Sequence, residues 1–206
     1  MKIYSKKAKK FNNKDILRYL VEFCKLYEKR PIKNNSGGMK FPHMFGTYYF
    51  LKKIKPELVV ESGVHRGQST WLIEKTLPKT KIVSIDLNLD NLIYKSKKAI
   101  YSKLDFKYHK FKNLKKNSLV FFDDHQNFLE RLLQAKKFSF KHLIFEDNYA
   151  PSYGDCYSPK KIINNSGNIR EITLSDIYKN TRKILKESFK KYINKNYVPS
   201  LNIENL

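Results

Sequence analysis

Two apolar runs in this 206-residue chain end in acid. SLVFFDD leads into His125 and KHLIFED into Asn148, which places Asp123, Asp124, His125, Glu146 and Asp147 just beyond the runs. If both runs are strands of one parallel sheet, these groups meet on a single edge, where four carboxylates repel unless cations or protons relieve the charge. A bound hard divalent ion answers this: with oxygen ligands and no Cys, Mg is expected first, with Ca or Mn as alternatives. A metal that chelates a hydroxyl pair orients it and lowers its pKa, and a nearby base then takes the proton. His125 is the His within this cluster and is the candidate base. The competing reading is a structural ion-pair network with Lys and Arg.

A second group of residues follows an earlier apolar run. In ESGVHRGQS, Glu61 precedes Gly63 and Gly67, the residues that let a backbone approach a ligand closely, and Ser69 opens the next helix, whose N-terminal amides face that ligand. The spacing is GxxxG rather than the GxGxxG that brings a pyrophosphate against a helix. Glu61, two residues before the first Gly, suits a ligand with a cationic amino-acid end and repels a pyrophosphate. Asp86 ends the following run, where a carboxylate accepts ribose hydroxyls. Asp105 and Phe106 are the weaker candidates for an adenine wall, with a core Phe as the alternative. Together these features point to S-adenosylmethionine rather than a dinucleotide.

Such residues work only if elements hold them at one edge. The periodicity predicts strands at 58–62, 81–87, 105–111, 118–124 and 141–147, with helices at 68–77, 89–101 and 126–137. This alternation is that of a Rossmann-like, doubly wound α/β fold with a mostly parallel sheet. Ahead of it, Ile16, Leu20, Phe23 and Tyr27 lie at helical spacing behind an Asn13 cap, residues 30–46 read as a loop, and TYYFLKKIK (47–55) as a second helix. After Asn148 come a polar loop and a helix over 173–194. One domain over 1–206 is expected: an N-terminal helical and lid extension (1–55), a cofactor-binding core (56–148), and a substrate loop with C-terminal helix (149–206).

The charge, 42 Lys plus Arg against 19 Asp plus Glu, gives a formal +23. Such a field attracts polyanions, but it is nearly all Lys, and Arg, the residue of bidentate base contacts, is scarce. A solvated surface is therefore favoured over a nucleic-acid footprint. Cys24 and Cys156 form no CxxC and are expected to be reduced thiols. No apolar run is long enough to span a membrane, and the basic N-terminus has no apolar stretch after it, so a cytoplasmic protein is expected.

Taken together, ESGVHRGQSTWLIE, IVSIDL, FFDDHQN and FEDNY resemble the class I S-adenosylmethionine-dependent methyltransferases. Within them they are most similar to the metal-dependent group of rhamnosyl and macrocin O-methyltransferases and cephalosporin hydroxylases. The resemblance covers about residues 57–150. It implies that Asp123, Glu146 and Asp147 hold Mg and that His125 is the base. That family commonly has two residues between the first Asp and the His, whereas only Asp124 intervenes here, so Asp124 shares the candidacy for the catalytic site. The family's closing pair of antiparallel strands is not evident in the C-terminal sequence, and an abbreviated sheet is expected. The segments NNSGGMKFPHMFGTYY and YGDCYSPKK are expected to form acceptor pocket and lid, with His43, Tyr149, Tyr153, Asp155 and Tyr157 able to meet a small-molecule or glycan acceptor.

The implied function is Mg-assisted O-methylation of a hydroxyl on a sugar or other small polar molecule. Methylation of nucleic acid is the first alternative, motivated by the charge and weakened by the absence of NPPY-type or paired-Cys motifs. A nicotinamide-dependent sugar enzyme is the second, weakened by the absent GxGxxG and Tyr-xxx-Lys dyad.

Overall fold

The computed structural model describes residues 13–111, 114, 117–149 and 153–161. Five strands form one sheet: β1 (Leu58–Ser62), β2 (Lys81–Ile85), β3 (Ala99–Ser102), β4 (Ser118–Phe122) and β5 (His142–Phe145), in the order β3-β2-β1-β4-β5 with every pairing parallel. The described helices are α1 (Asn13–Tyr27), α2 (Phe41–Ile54), α3 (Gln68–Thr76) and α4 (Phe128–Lys137). This is the Rossmann-like doubly wound sheet expected from the alternation of apolar runs. Because β1 lies between β2 and β4, the chain reverses its direction of winding there. The crevice beyond the carboxyl end of β1 is the switch point at which such sheets bind ligands.

Strand periodicity builds a core on both faces. Val59, Ile82, Leu119 and Phe121 pack with Phe23, Met44, Tyr48, Leu51, Trp71 and Leu72 of the helices. Val60, Ile85, Val120 and Phe122 turn the other way, toward Phe106, Ala135 and Phe140. The short β4 is buried along its whole length, as expected of a central parallel strand. The first two helices are tied to each other by the Tyr48 hydroxyl, which donates to Glu22 Oε2 at 3.0 Å, and by Lys53 to Asp15 at 2.9 Å.

Three elements differ from the sequence expectation. The helix expected at 47–55 begins at Phe41, because Pro42 falls in its first turn, where a missing N–H costs nothing. The helix expected at 89–101 does not form. Its first residues bond their own backbone instead, Asp86 Oδ1 accepting from Asn88 N at 3.0 Å and Asn88 Oδ1 from Asp90 N at 2.8 Å, turns that compete with a helix. Ile93 and Tyr94 then donate to the Arg66 carbonyl. Consequently the third strand is Ala99–Ser102, and the segment expected as a strand at 105–111 instead holds a short 3-10 turn, Phe106–Tyr108. The helix expected at 173–194 and any closing strands lie outside the described residues. No helix among those described is long and apolar enough to cross a membrane.

By contacts the described chain divides into two compact units. One contains the described residues of 13–124 and 134–146, hence the whole sheet; the other contains 125–133, 147–149 and 153–161.

Candidate functional site

In the sheet unit the site is built at the carboxyl ends of the strands. β1 runs into Gly63 at φ 94° and, after Val64, His65 and Arg66, into Gly67 at φ 88°, which precedes α3. Both positions are closed to other residues for a packing reason. A Cβ on Gly63 would stand 1.8 Å from the Asp123 carbonyl oxygen, and one on Gly67 2.1 Å from that of Tyr94. The glycines thus let the loop between β1 and α3 sit directly on the backbone that follows β4 and precedes β3.

Asp86 fixes the loop from the side. Its Oδ2 accepts from the amides of Val64 at 2.8 Å and His65 at 2.9 Å. Both lone pairs of Oδ2 are thereby engaged, and Oδ1, which accepts from Asn88 N at 3.0 Å, keeps one for a ligand hydroxyl. Glu61 braces from below and does not reach the surface. It is fully buried, and its Oε2 accepts from the hydroxyls of Thr70 at 2.6 Å and Ser84 at 2.7 Å, while Oε1 has no hydrogen-bond partner. Burial pushes its carboxyl above the ordinary range, opposed by the hydroxyls of Ser69, Thr70 and Ser84. Through the hydroxyls of Thr70 and Ser84, Glu61 holds β1, β2 and α3 together beneath the loop. Ser69, 5% exposed, lines a narrow crevice with Val64, His65, Gln68 and Asp123.

Of the two readings open for Phe106, adenine wall and core, its surroundings fit the second. Phe106 has no exposed surface, and its ring packs against Phe111, Phe122, Phe138 and Phe140 at centroid distances of 5.0–6.0 Å. It is a core residue, drawn in because the chain turns at 106–108 rather than running on as a strand. Asp105 caps that turn, accepting from Lys107 N at 3.0 Å.

Of the acidic cluster, Asp123, Asp124 and Glu146 belong to the sheet unit. Asp123 and Glu146 follow neighbouring strands paired in register, Phe122 opposite Phe145, and the Glu146 amide donates to the Phe122 carbonyl at 2.9 Å. Both carboxylates therefore leave the sheet at one edge. The Asp124 side chain is held by the Ser62 hydroxyl, which donates to Oδ2 at 2.5 Å. Glu146 meets the imidazole Nδ1 of His43, from the first turn of α2. His43, anticipated only as an acceptor-pocket residue, is thereby placed on a candidate metal ligand.

His125 and Asp147 belong to the second unit. His125 takes φ 54°, a left-handed conformation rare outside Gly, and its amide donates to Asp147 Oδ2 at 2.9 Å. Its Nδ1 lies 2.8 Å from Asp155 Oδ1, and its ring is stacked near Tyr149 at 6.4 Å. With Nδ1–H donated to Asp155, the assigned tautomer leaves Nε2 as the proton acceptor. Asn127 then starts α4, its Oδ1 accepting from Leu129 N at 2.8 Å. Of the other expected loop residues, Tyr153 is 71% exposed and Tyr157 is buried.

Sequence reasoning missed two polar side chains beside the loop. Asn35 and Gln68 line both the narrow crevice and an adjoining cavity, and each has a buried carbonyl oxygen without a partner. Gln68 stood inside the motif already singled out, but its residue type gives no signal until its burial is known. Asn35 reaches the loop only through tertiary packing.

No family model matches the sequence, and no curated protein matches it. Among solved structures, the chain is similar to CmcI with SAH, at 18% identity and a TM-score of 0.46, over 53% of this chain and 62% of that one. A CmcI structure with Mg and SAM gives 18% identity and a TM-score of 0.43, over 54% and 56% of the two chains. A putative caffeoyl-CoA O-methyltransferase from Staphylococcus aureus gives 10% and 0.44, over 83% and 82%. The match thus spans between half and two thirds of the length of the CmcI chains.

Proposed function

We propose that this chain is an S-adenosylmethionine-dependent methyltransferase acting on a hydroxyl oxygen of a sugar or another small polar acceptor, with Mg assistance. The observation that carries the reading is the switch-point loop: Gly63–Gly67 between β1 and α3, braced by the Asp86 carboxylate and bordered by unpartnered buried acceptors. A nucleoside with a cationic amino-acid tail needs such a place. The loop and the start of α3 receive the ligand, Asp86 accepts a ribose hydroxyl at Oδ1, and Ser69 lines the crevice. Glu61 acts through the elements it joins.

The donor types suit a hard cation: Asp123 and Glu146 offer oxygens from adjacent strand ends, and the family resemblance adds Asp147 as a third carboxylate. Mg held by these residues would supply charge that orients an acceptor hydroxyl and lowers its pKa. In transfer to oxygen, the methyl–sulfur bond breaks as the carbon–oxygen bond forms, and the hydroxyl proton leaves. His125 takes that proton at Nε2, while Asp155 holds the imidazole and Asp147 the His125 backbone amide. Asp124, held by Ser62, keeps the turn between β4 and His125 in place.

Nucleic-acid methylation gains no support from the groove with a basic rim at the opposite edge. The groove bordered by Lys55, Lys79 and Lys81 lies at the amino ends of β1 and β2, the edge away from the loop.

The test is isothermal titration of the purified chain with S-adenosylhomocysteine, with and without Mg. Binding in the micromolar range is expected; no binding to either form of the cofactor removes the proposal. Cofactor binding with no heat of Mg binding, with or without cofactor present, would retain the methyltransferase and remove the metal.

A further inference from the structure

We propose that His43 is a positioning residue for the metal: its Nδ1–H holds one oxygen of Glu146, so this carboxylate ligates through the other oxygen alone and the site prefers small octahedral cations to Ca. The inference rests on the metal reading above and adds to it a residue from a helix outside the motifs.

Both ends of the contact are firmly mounted. Glu146 directly follows β5, and its amide donates at 2.9 Å to the carbonyl of Phe122, the last residue of β4. His43 stands in the first turn of α2 beside Met44, which is buried in the core with Tyr48 and Leu51. While sheet and helix stay packed, neither backbone can drift, so the meeting of Nδ1 with Glu146 Oε1 across 103 positions of sequence is set by the fold. The helix adds to the attraction. α2 begins without a side-chain cap and has no acidic residue in its first turn, and the sheet brings the Glu146 carboxylate to that positive end.

The role of the pair follows from its atoms. An ionised carboxylate only accepts, so the imidazole nitrogen facing it carries a proton. Oε1 is thereby occupied by a donor, while among the described residues Oε2 has no hydrogen-bond partner. The Glu146 side chain is 11% exposed and that of His43 58%. As a tie between helix and sheet the contact is weak, since one partner stands in water. As a constraint on a metal ligand it is strong, because a hydrogen bond to one oxygen fixes the direction in which the other is offered. Ca takes roughly six to eight oxygens and readily uses both oxygens of one carboxylate, whereas Mg and Mn build octahedral shells from single oxygens. A donor on Oε1 closes the first mode and leaves the second.

The experiment uses the full chain with Mn as the probe, its free aqua ion read by electron paramagnetic resonance, and Ca as the competitor. His43→Leu removes the donor and releases Oε1. His43→Asn keeps an N–H at about the place of Nδ1. The imidazole is mostly exposed, so neither change opens the core, and His43→Ala replaces the Leu variant should that one fail to fold. His43→Leu is expected to lower the ratio of Mn to Ca affinity about tenfold or more, and His43→Asn to keep it within about threefold of wild type. A structural tie alone would not move this ratio. An unchanged ratio in His43→Leu, or an equal loss in His43→Asn, overturns the role of His43 while Mn binding by the wild type keeps the metal. If the wild type binds S-adenosylhomocysteine but neither ion, the metal reading falls and this assignment with it.

Discussion

The two edges of the sheet carry opposite kinds of opening. At the amino edge a groove of about 730 Å³ is bordered by Arg18, Lys52, Lys55, Lys79 and Lys81 with Glu22 and Glu57. At the carboxyl edge the crevice and cavity beside Gly63–Gly67 are small, yet they hold the left-handed glycines, the doubly bonded Asp86 and the unpartnered oxygens of Asn35 and Gln68. Size and chemistry therefore point to different places. The larger opening is lined by flexible, hydrated ends that cost nothing to leave unbound. The smaller one contains buried polar atoms that only a ligand or water can satisfy, which is how a built site differs from a surface depression.

Three changes test that contrast. The largest effect is expected from Gly63→Ala, which forces a side chain into the Asp123 carbonyl at a positive φ. A loss of about 3 kcal/mol or more in unfolding free energy, read by urea denaturation, is expected together with loss of cofactor binding. A variant that binds S-adenosylhomocysteine like wild type would show that the loop is not the site.

A smaller effect is expected at Glu61. Its folded pKa is raised by burial, so its contribution to stability is full below the unfolded value near pH 4 and is lost as pH rises through the folded value. Glu61→Gln should therefore leave the melting temperature unchanged near pH 4 and raise it at pH 8, by about 1–3 kcal/mol in stability. A drop at pH 8 would mean that the carboxylate charge is used in the native state. The smallest effect on the proposed chemistry is expected from Lys79→Glu with Lys81→Glu. Cofactor affinity should stay within about twofold, and any salt-dependent retention on a polyanion column should weaken. A tenfold change in cofactor affinity would join the two edges in one function.

The contrast also explains which features were legible in the sequence. β1, β2, β4 and β5 were readable because each is a short apolar run closed by Gly or acid, and those closing residues are the ones at the carboxyl edge. The third crossover was not, since the spacing of Leu89, Leu92 and Ile93 imitates a helix while Asp86 and Asn88 bond the backbone into turns. Phe106 was left open between an adenine wall and the core, and only the turn beneath it decided for the core. Asn35 was legible only as one residue of the pocket segment NNSGGMKFPHMFGTYY, because it lies 33 residues before Gln68 and its place beside the loop depends on how the segment after α1 folds.

The third strand has a practical consequence. β3 is an outer strand of the described sheet, four residues long, with Ile100 69% exposed and Lys97, Lys98 and Lys103 around it. An open strand edge is a template for pairing with another copy, and short length with flanking Lys is the usual protection against it. Part of the large positive charge thereby acts as a colloidal spacer. Concentrated salt screens that spacer, so the conditions that separate specific binding from charge attraction are also those in which the protein is most prone to self-associate.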